Sequence, residues 1–212
     1  KTRLVEPQVR KSFRRFKKIY PDALFPDVYF VIGAMNSGGT YSGNGLLLGA
    51  ELHGLGAGVP TDELTAWEKS VVKPYTVLPN IISHELMHFQ QKHEANTLLG
   101  KAIHEGSADF LASLVSDGNF NEITYQYGYA HEAELWKQFK SEMLGSDTSK
   151  WLYGESQRDG HPADLGYFMG FRISQAYYNR AKNKQQAIRD IVTVEDFEQL
   201  LRQSGYGTQY AE

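Results

Sequence analysis

The pattern H-E-x-x-H occupies residues 84–88 and places metal-binding side chains at helical spacing. Residues four apart on a helix share one face, so His84 and His88 can direct two imidazoles at a single metal ion. Glu85, turned by about 100° from His84, is close enough to hold a water molecule as a general base. The pattern therefore predicts a bound metal ion and the activation of water.

A second motif supplies carboxylates that can complete the site. The run E-G-S-A-D occupies residues 105–109 and begins seventeen residues after the second histidine. Catalytic zinc takes three protein ligands and keeps a fourth position open. We therefore expect Zn²⁺ to be bound by His84, His88 and Glu105. Asp109 follows one turn later, and we expect its carboxylate to hydrogen-bond a zinc-bound histidine, His84, through the ring nitrogen away from the metal.

Two helices are needed to position these motifs. The segment around the first motif is strongly apolar, which predicts a buried helix, and Pro79 suits its first turn because the missing N–H has no partner there. A buried helix rarely carries His and Glu unless they are paired or bind a metal. A second helix is predicted from Leu98 to Val115, with apolar residues on the face that would pack against the core.

The rest of the chain predicts a helix, two strands and then helices. The apolar pattern and the capping residues predict strands at Val28–Ala34 and Gly45–Leu52, and further helices at Glu6–Ile19, from an N-cap at Thr61 through Val71, and at Ala130–Leu144, Leu165–Ala181, Gln185–Val192 and Val194–Gln203. The predicted fold class is α+β, with a small N-terminal sheet, the H-E-x-x-H helix and a mostly helical C-terminal half. We expect a single domain over residues 1–212.

Glycines are frequent between residues 33 and 58, yet neither glycine-rich nucleotide-binding pattern is present. We expect turns, bulges and a strand edge that another group approaches closely. The strand within Gly43–Leu52 is a candidate for pairing with an extended substrate. Gly166 and Gly170, spaced four apart on a predicted helix, indicate close helix packing in a soluble protein.

Composition and charge narrow the class of protein. A net charge of −3 and an isoelectric point near 6.2 do not indicate the basic surface that binds nucleic acid. We therefore expect no nucleic-acid partner. A basic run at residues 10–18 suits the wet face of an amphipathic helix, with a membrane-surface contact as a weaker alternative. The chain has no cysteine, which removes disulfides and thiolate ligands.

The location of the protein is left open by the sequence. No transmembrane segment or signal peptide is found, and the chain begins with Lys1. The absence of cysteine fits either a reducing compartment or an exported bacterial protein that avoids thiols.

The two motifs together resemble the gluzincin group of zinc metallopeptidases, in which H-E-x-x-H is followed on a second helix by E-x-x-x-D. The longer strings at residues 82–91 and 105–110 resemble DUF2268-type predicted zinc-dependent proteases and lipoproteins similar to gliding-motility protein B of Bacteroidetes. The string at residues 165–173 is similar, although less specifically, to a third string further along such proteins. The resemblance, firm over residues 77–117, implies a zincin-like fold and peptidase-like chemistry. The likeness to lipoproteins also implies an exported bacterial protein, periplasmic or anchored to the outer membrane, with a lipid anchor upstream of residue 1.

A metzincin site, in contrast, is disfavoured. That pattern needs Gly and His where this chain has Gln91 and Glu94, and His93 stands one residue too early.

Two function hypotheses follow from the motifs. The first is a zinc hydrolase, most simply a peptidase acting on a peptide or protein substrate, with Glu85 as the general base. Its oxyanion-stabilising residue is sought among His161, Tyr153 and Tyr167. The alternative is a non-catalytic, zinc-stabilised component of a bacterial cell-envelope assembly, because a buried metal also stabilises a fold.

Overall fold

The computed structural model describes residues 2–35, 37–92, 94–118, 121–154 and 160–210, and His93 lies outside them. The described chain is α+β and mostly helical. Its strands are β1 Val28–Val31, β2 Gly39–Ser42 and β3 Gly45–Gly49, and its α-helices are α1 Thr2–Ile19, α2 Ala66–Val71, α3 Leu78–Gln90, α4 Leu98–Ser113, α5 Glu122–Ala130, α6 Glu132–Glu142, α7 Leu165–Arg180, α8 Lys184–Val192 and α9 Phe197–Ser204. None of the described helices is long and apolar enough to cross a membrane.

The backbone forms two compact units, residues 1–90 with 112–120 and residues 91–111 with 121–212. In the first unit, α3 packs against α1 and against strands β2 and β3. The core includes Phe16 of α1 and Leu46 and Leu48 of β3, all fully buried. At the end of α3, the side-chain amide of Gln90 is hydrogen-bonded to the backbone of Leu24. Its oxygen accepts from the Leu24 N–H and its nitrogen donates to the Leu24 carbonyl, both at 2.9 Å.

The sheet has the strand order β1-β3-β2, with β1 parallel and β2 antiparallel to β3. The prediction that the strand within Gly43–Leu52 pairs with a substrate is therefore wrong. That strand is central, and its backbone hydrogen bonds go to β1 on one side and β2 on the other. An extended partner could pair only with β1 or β2, the two edge strands of this sheet.

The second unit is built on helices, and two glycines allow two of them to pack at backbone distance. A Cβ atom on Gly170 of α7 would lie 1.7 Å from the Ala102 carbonyl oxygen of α4. A Cβ on Gly106 of α4 would lie 2.2 Å from the Phe171 nitrogen. The close packing predicted for Gly170 is confirmed. Rings of Phe110, Tyr125 and Phe171 pack edge to face beside this crossing.

All eight predicted helices are present, with shifted ends. The first helix starts at Thr2 and accommodates Pro7, and the last starts at Phe197 rather than Val194. The strand predicted over Val28–Ala34 ends at Val31, and the one predicted to Leu52 ends at Gly49, where a 3-10 helix, Ala50–His53, begins. The single-domain organisation stays a prediction.

One predicted cap was wrong and two elements were missed. Thr65, not Thr61, caps α2, because its hydroxyl accepts from the Glu68 N–H while the Glu68 carboxylate accepts from the Thr65 N–H. Strand β2 and helix α5 were not predicted.

Candidate metal centre

Helix α3 brings the two motif histidines together, as their spacing predicts. The Nε2 atoms of His84 and His88 lie 2.9 Å apart, and the rings meet edge to face with centroids 4.5 Å apart. Only 5% of His84 and 6% of His88 is exposed to solvent. In a tetrahedral zinc site with Zn–N bonds of ~2.0–2.1 Å, two nitrogens lie about 3.3 Å apart. The pair therefore has nearly the spacing that two zinc ligands need.

Glu85 lies against the edge strand β2. It is buried, and a Cβ on Gly39 would lie 2.6 Å from its Oε1 atom. Only glycine can occupy this position without displacing the carboxylate, which confirms the predicted strand edge that another group approaches closely. The ring of Tyr41, two residues further along β2, stacks on His88 with centroids 6.2 Å apart. Strand β2 thus flanks both the histidine pair and the candidate general base.

Glu105, the candidate third ligand, is buried on α4 and is held by a tyrosine. The hydroxyl of Tyr153 donates to Glu105 Oε1 at 2.9 Å. Burial and the neighbouring Glu105 carboxylate raise the pKa of the Tyr153 phenol, so the phenol remains a donor at neutral pH. Tyr153 has a φ of 60°, in the left-handed region that few side chains adopt. Strained backbone of this kind is frequent at functional sites.

Asp109 is also buried on α4, and its carboxylate has an aromatic partner. The Tyr125 hydroxyl donates to Asp109 Oδ2 at 2.7 Å. Burial and the Asp109 carboxylate raise the pKa of the Tyr125 phenol well above its usual value. Asp109 is thus fixed on one side by a neutral donor. Its hydrogen bond to a zinc-bound histidine stays a prediction.

We predict that Tyr125→Phe lowers both stability and zinc affinity. The change removes one donor from a buried carboxylate, which should lower the free energy of unfolding by about 1–3 kcal/mol. Zinc affinity should fall by roughly 10-fold, as is common for partners that orient metal ligands. Chemical denaturation and chelator competition measure the two effects. Tyr129→Phe is the matched control on the same helix, because Tyr129 is half exposed. Equal behaviour of the two variants would contradict the role of Tyr125.

Tyr167 and Asp164 lie in the same electrostatic environment as Glu105. Burial, followed by the carboxylates of Glu105 and Asp164, raises the pKa of Tyr167 well above its usual value. Burial likewise raises the pKa of Asp164, although a hydrogen bond from the Gly154 N–H opposes the shift. The Tyr167 phenol therefore remains protonated at neutral pH and can donate a hydrogen bond near the carboxylates of Glu105 and Asp164. Its role as an oxyanion partner stays a prediction.

His161 has a different set of neighbours. Its Nδ1 atom is hydrogen-bonded to the Tyr127 hydroxyl at 2.6 Å. Together with Glu142 and Trp151 it lines a cavity of about 390 Å³ in the second unit. This cavity is lined by neither Glu105 nor Tyr153, and the catalytic role of His161 stays a prediction.

The three predicted ligands form a buried group. One ligand atom from each of His84, His88 and Glu105 can be chosen so that all lie within 4.8 Å of one another. Two imidazoles and one carboxylate are a donor set that zinc accepts in proteins. Burying two imidazoles and a carboxylate this close together is costly unless they are paired or bind a metal ion. The group could therefore hold a metal ion.

Comparison with known proteins identifies one family. The family model described as gliding motility protein GldB, a lipoprotein-like family, matches residues 1–208 of the chain. No curated protein and no solved structure matches the chain significantly. The match confirms the resemblance to gliding-motility lipoproteins, and it gives no support to the gluzincin peptidase identity.

Proposed function

Because the chain belongs to the family of gliding motility protein GldB, we propose that it is a metal-binding component of the gliding machinery in the bacterial cell envelope. The observation that carries the proposal is the buried group of His84, His88 and Glu105. In this function the bound metal stabilises the fold, and no substrate is turned over. The lipoprotein-like family agrees with the expected export and lipid anchor.

Zinc is the metal that these ligands favour. The donor set combines two imidazole nitrogens with one carboxylate, and magnesium and calcium prefer oxygen ligands alone. A metal-free protein would keep two imidazoles and a carboxylate buried at close range, which is unfavourable without charge compensation. Binding of a cation compensates the carboxylate charge, so metal affinity contributes directly to folding.

A second candidate function, a zinc hydrolase, is supported by one specific observation, the burial of the Glu85 carboxylate beside the histidines and against β2. A metal with a purely structural role has no need of a general base. The metal, when bound, would act as a Lewis acid that polarises a carbonyl and acidifies water. Glu85 would accept a proton from water and pass it to the leaving amine. Tyr153 and Tyr167, both neutral donors, are the candidates for stabilising an oxyanion.

Glu85→Gln separates the two functions. The change keeps the size and shape of the side chain but removes its basicity, and Glu85 is not one of the proposed ligands. We expect the variant to bind zinc and to melt like the wild type. In a gliding bacterium whose own copy of the gene is deleted, we expect Glu85→Gln to restore gliding, whereas His84→Ala does not. This difference is the test of the non-catalytic proposal.

Two results would contradict the proposal of a non-catalytic, metal-binding component. If Glu85→Gln fails to restore gliding although its zinc content and expression are normal, the non-catalytic proposal fails. A peptide-library digest with zinc-loaded protein should then show cleavage that falls by ~10²–10⁴-fold in the variant, the range typical of general-base loss. If His84→Ala restores gliding as well as the wild type does, the metal has no part in the function.

A further inference from the structure

Helix α1 carries a row of basic side chains along one side. Arg3, Arg10, Arg14 and Lys17 are separated by seven, four and three residues, which is the spacing of one helix face. All four are exposed. The helix has seven basic residues and one acidic residue, a net charge of +6. The opposite face of the helix contributes the buried Val5 and Phe16 to the core, so the basic row faces outward.

An exposed apolar segment follows the helix in sequence. Leu24 is 58% exposed and Ile32 is 89% exposed, and Tyr29, Phe30 and Val31 of β1 are each more than a third exposed. Residues 28–35 contain no charged side chain. Contiguous apolar groups of this kind on a protein surface mark a place of interaction.

The basic row and the apolar segment adjoin each other within the first unit. They meet at a groove of about 430 Å³, whose lining includes Arg3, Arg10, Phe25 and Phe30. The Lys17 ammonium lies 5.9 Å from the centre of the Phe25 ring. We call the four basic residues together with residues 24–32 the basic–apolar surface.

The charge of this region is opposite to that of the rest of the chain. Residues 1–35 contain eight basic and three acidic residues, a net charge of +5, while the remaining residues contain 14 basic and 22 acidic ones, a net charge of −8. The three acidic residues are Glu6, which pairs with Arg10, Asp27, which lines the groove, and Asp22. An anionic partner is therefore attracted to this region and repelled by the remainder.

We propose that the basic–apolar surface binds the headgroup region of an anionic lipid bilayer. The guanidinium and ammonium groups would contact lipid phosphates, and the apolar segment would insert among the headgroups. A bilayer fits better than an added β-strand from another protein. Neighbouring residues of β1 point to opposite faces of the sheet, and Tyr29, Phe30 and Val31 are nevertheless all exposed. A strand added at the edge would leave these faces in water, whereas insertion covers both.

Vesicle co-sedimentation of the full chain tests this proposal. We expect binding to vesicles of phosphatidylcholine mixed with phosphatidylglycerol, weaker binding at high salt, and much weaker binding to phosphatidylcholine alone. The double variant Arg3→Gln with Arg14→Gln should lower the partition constant by roughly 25-fold, on the order of fivefold per basic residue. Ile32→Ser should lower it several-fold, because less apolar surface is inserted.

The controls keep this proposal separate from the metal function. Lys137→Gln with Lys140→Gln removes two exposed charges from α6 and should bind vesicles like the wild type. Metal-free protein and His84→Ala should also bind vesicles normally. Equal binding by the Arg3/Arg14 and Lys137/Lys140 variants would overturn the proposal. The proposal would also be overturned if the chain did not bind vesicles but associated with itself, and Ile32→Ser abolished that association. The surface would then be where two copies of the chain pair through β1.

Discussion

His84→Ala is expected to remove the metal-dependent part of the protein's stability. A ligand present at about 1,000 times its dissociation constant stabilises the native state by roughly 4 kcal/mol. For a chain of this size, that corresponds to a rise in melting temperature of roughly 8–16 °C. His84→Ala leaves His88 and Glu105 as the remaining proposed ligands, so zinc should no longer raise the melting temperature. Thermal melts with zinc and with a chelator measure the difference.

The control for this variant is His131→Ala, which removes a histidine that is exposed at the start of α6. It should keep the full response to zinc, because His131 is not among the proposed ligands. A His84→Ala variant that is still stabilised by zinc as strongly as the wild type would contradict the assigned ligands. A variant too unstable to purify would be replaced by His84→Gln, which keeps a polar side chain of similar reach.

Gly170→Ala is expected to destabilise the second unit severely. The added methyl group would lie 1.7 Å from the Ala102 carbonyl oxygen, and because this atom belongs to the backbone, α4 and α7 would have to separate. Over-packing of this kind should lower the free energy of unfolding by about 3 kcal/mol or more. Gly106 at the same crossing directly follows Glu105, so a shift of α4 should also weaken zinc binding.

Gly43→Ala is the matched control for this change. A methyl group added at Gly43 would have no heavy atom of the described chain within 4 Å, and the φ of Gly43 lies outside the left-handed region. Its stability should stay within about 0.5 kcal/mol of the wild type, as is usual for surface substitutions. Denaturant unfolding of both variants gives the comparison. If Gly170→Ala were as stable as Gly43→Ala, the close approach of α4 and α7 would be wrong.

All the helices except α5, and the pairing of the two histidines, could be predicted because their signals are local. Spacing of four residues places His84 and His88 on one face, and the apolar pattern of α3 and α4 fixes which segments are helical. The same reasoning found Gly170, since two glycines four apart lie on one helix face and let a second backbone come close. Each of these conclusions depends on residues within a few turns of one another.

What was missed, apart from helix α5, depends on distant partners. Strand β2 reads Gly-Thr-Tyr-Ser, which has no run of apolar residues; it is a strand because β3 supplies its hydrogen bonds and α3 packs against it. Tyr153 reaches Glu105 across 48 residues and Tyr125 reaches Asp109 across 16 residues. No spacing rule joins such pairs. The glycines between residues 33 and 58 were the one sequence feature that indicated β2. One of them, Gly39, lies where β2 contacts Glu85.

The metal centre is tested most directly by the metal content of the purified chain after equilibration with zinc and removal of free metal. We expect about one zinc per chain for the wild type and for Glu85→Gln, because the proposed ligands form a single site. We expect near-zero zinc for His84→Ala and for His88→Ala, and a strongly reduced content for Glu105→Gln. A wild-type chain without zinc, or a His84→Ala chain with the full amount, would contradict the assignment of His84, His88 and Glu105 as a metal centre.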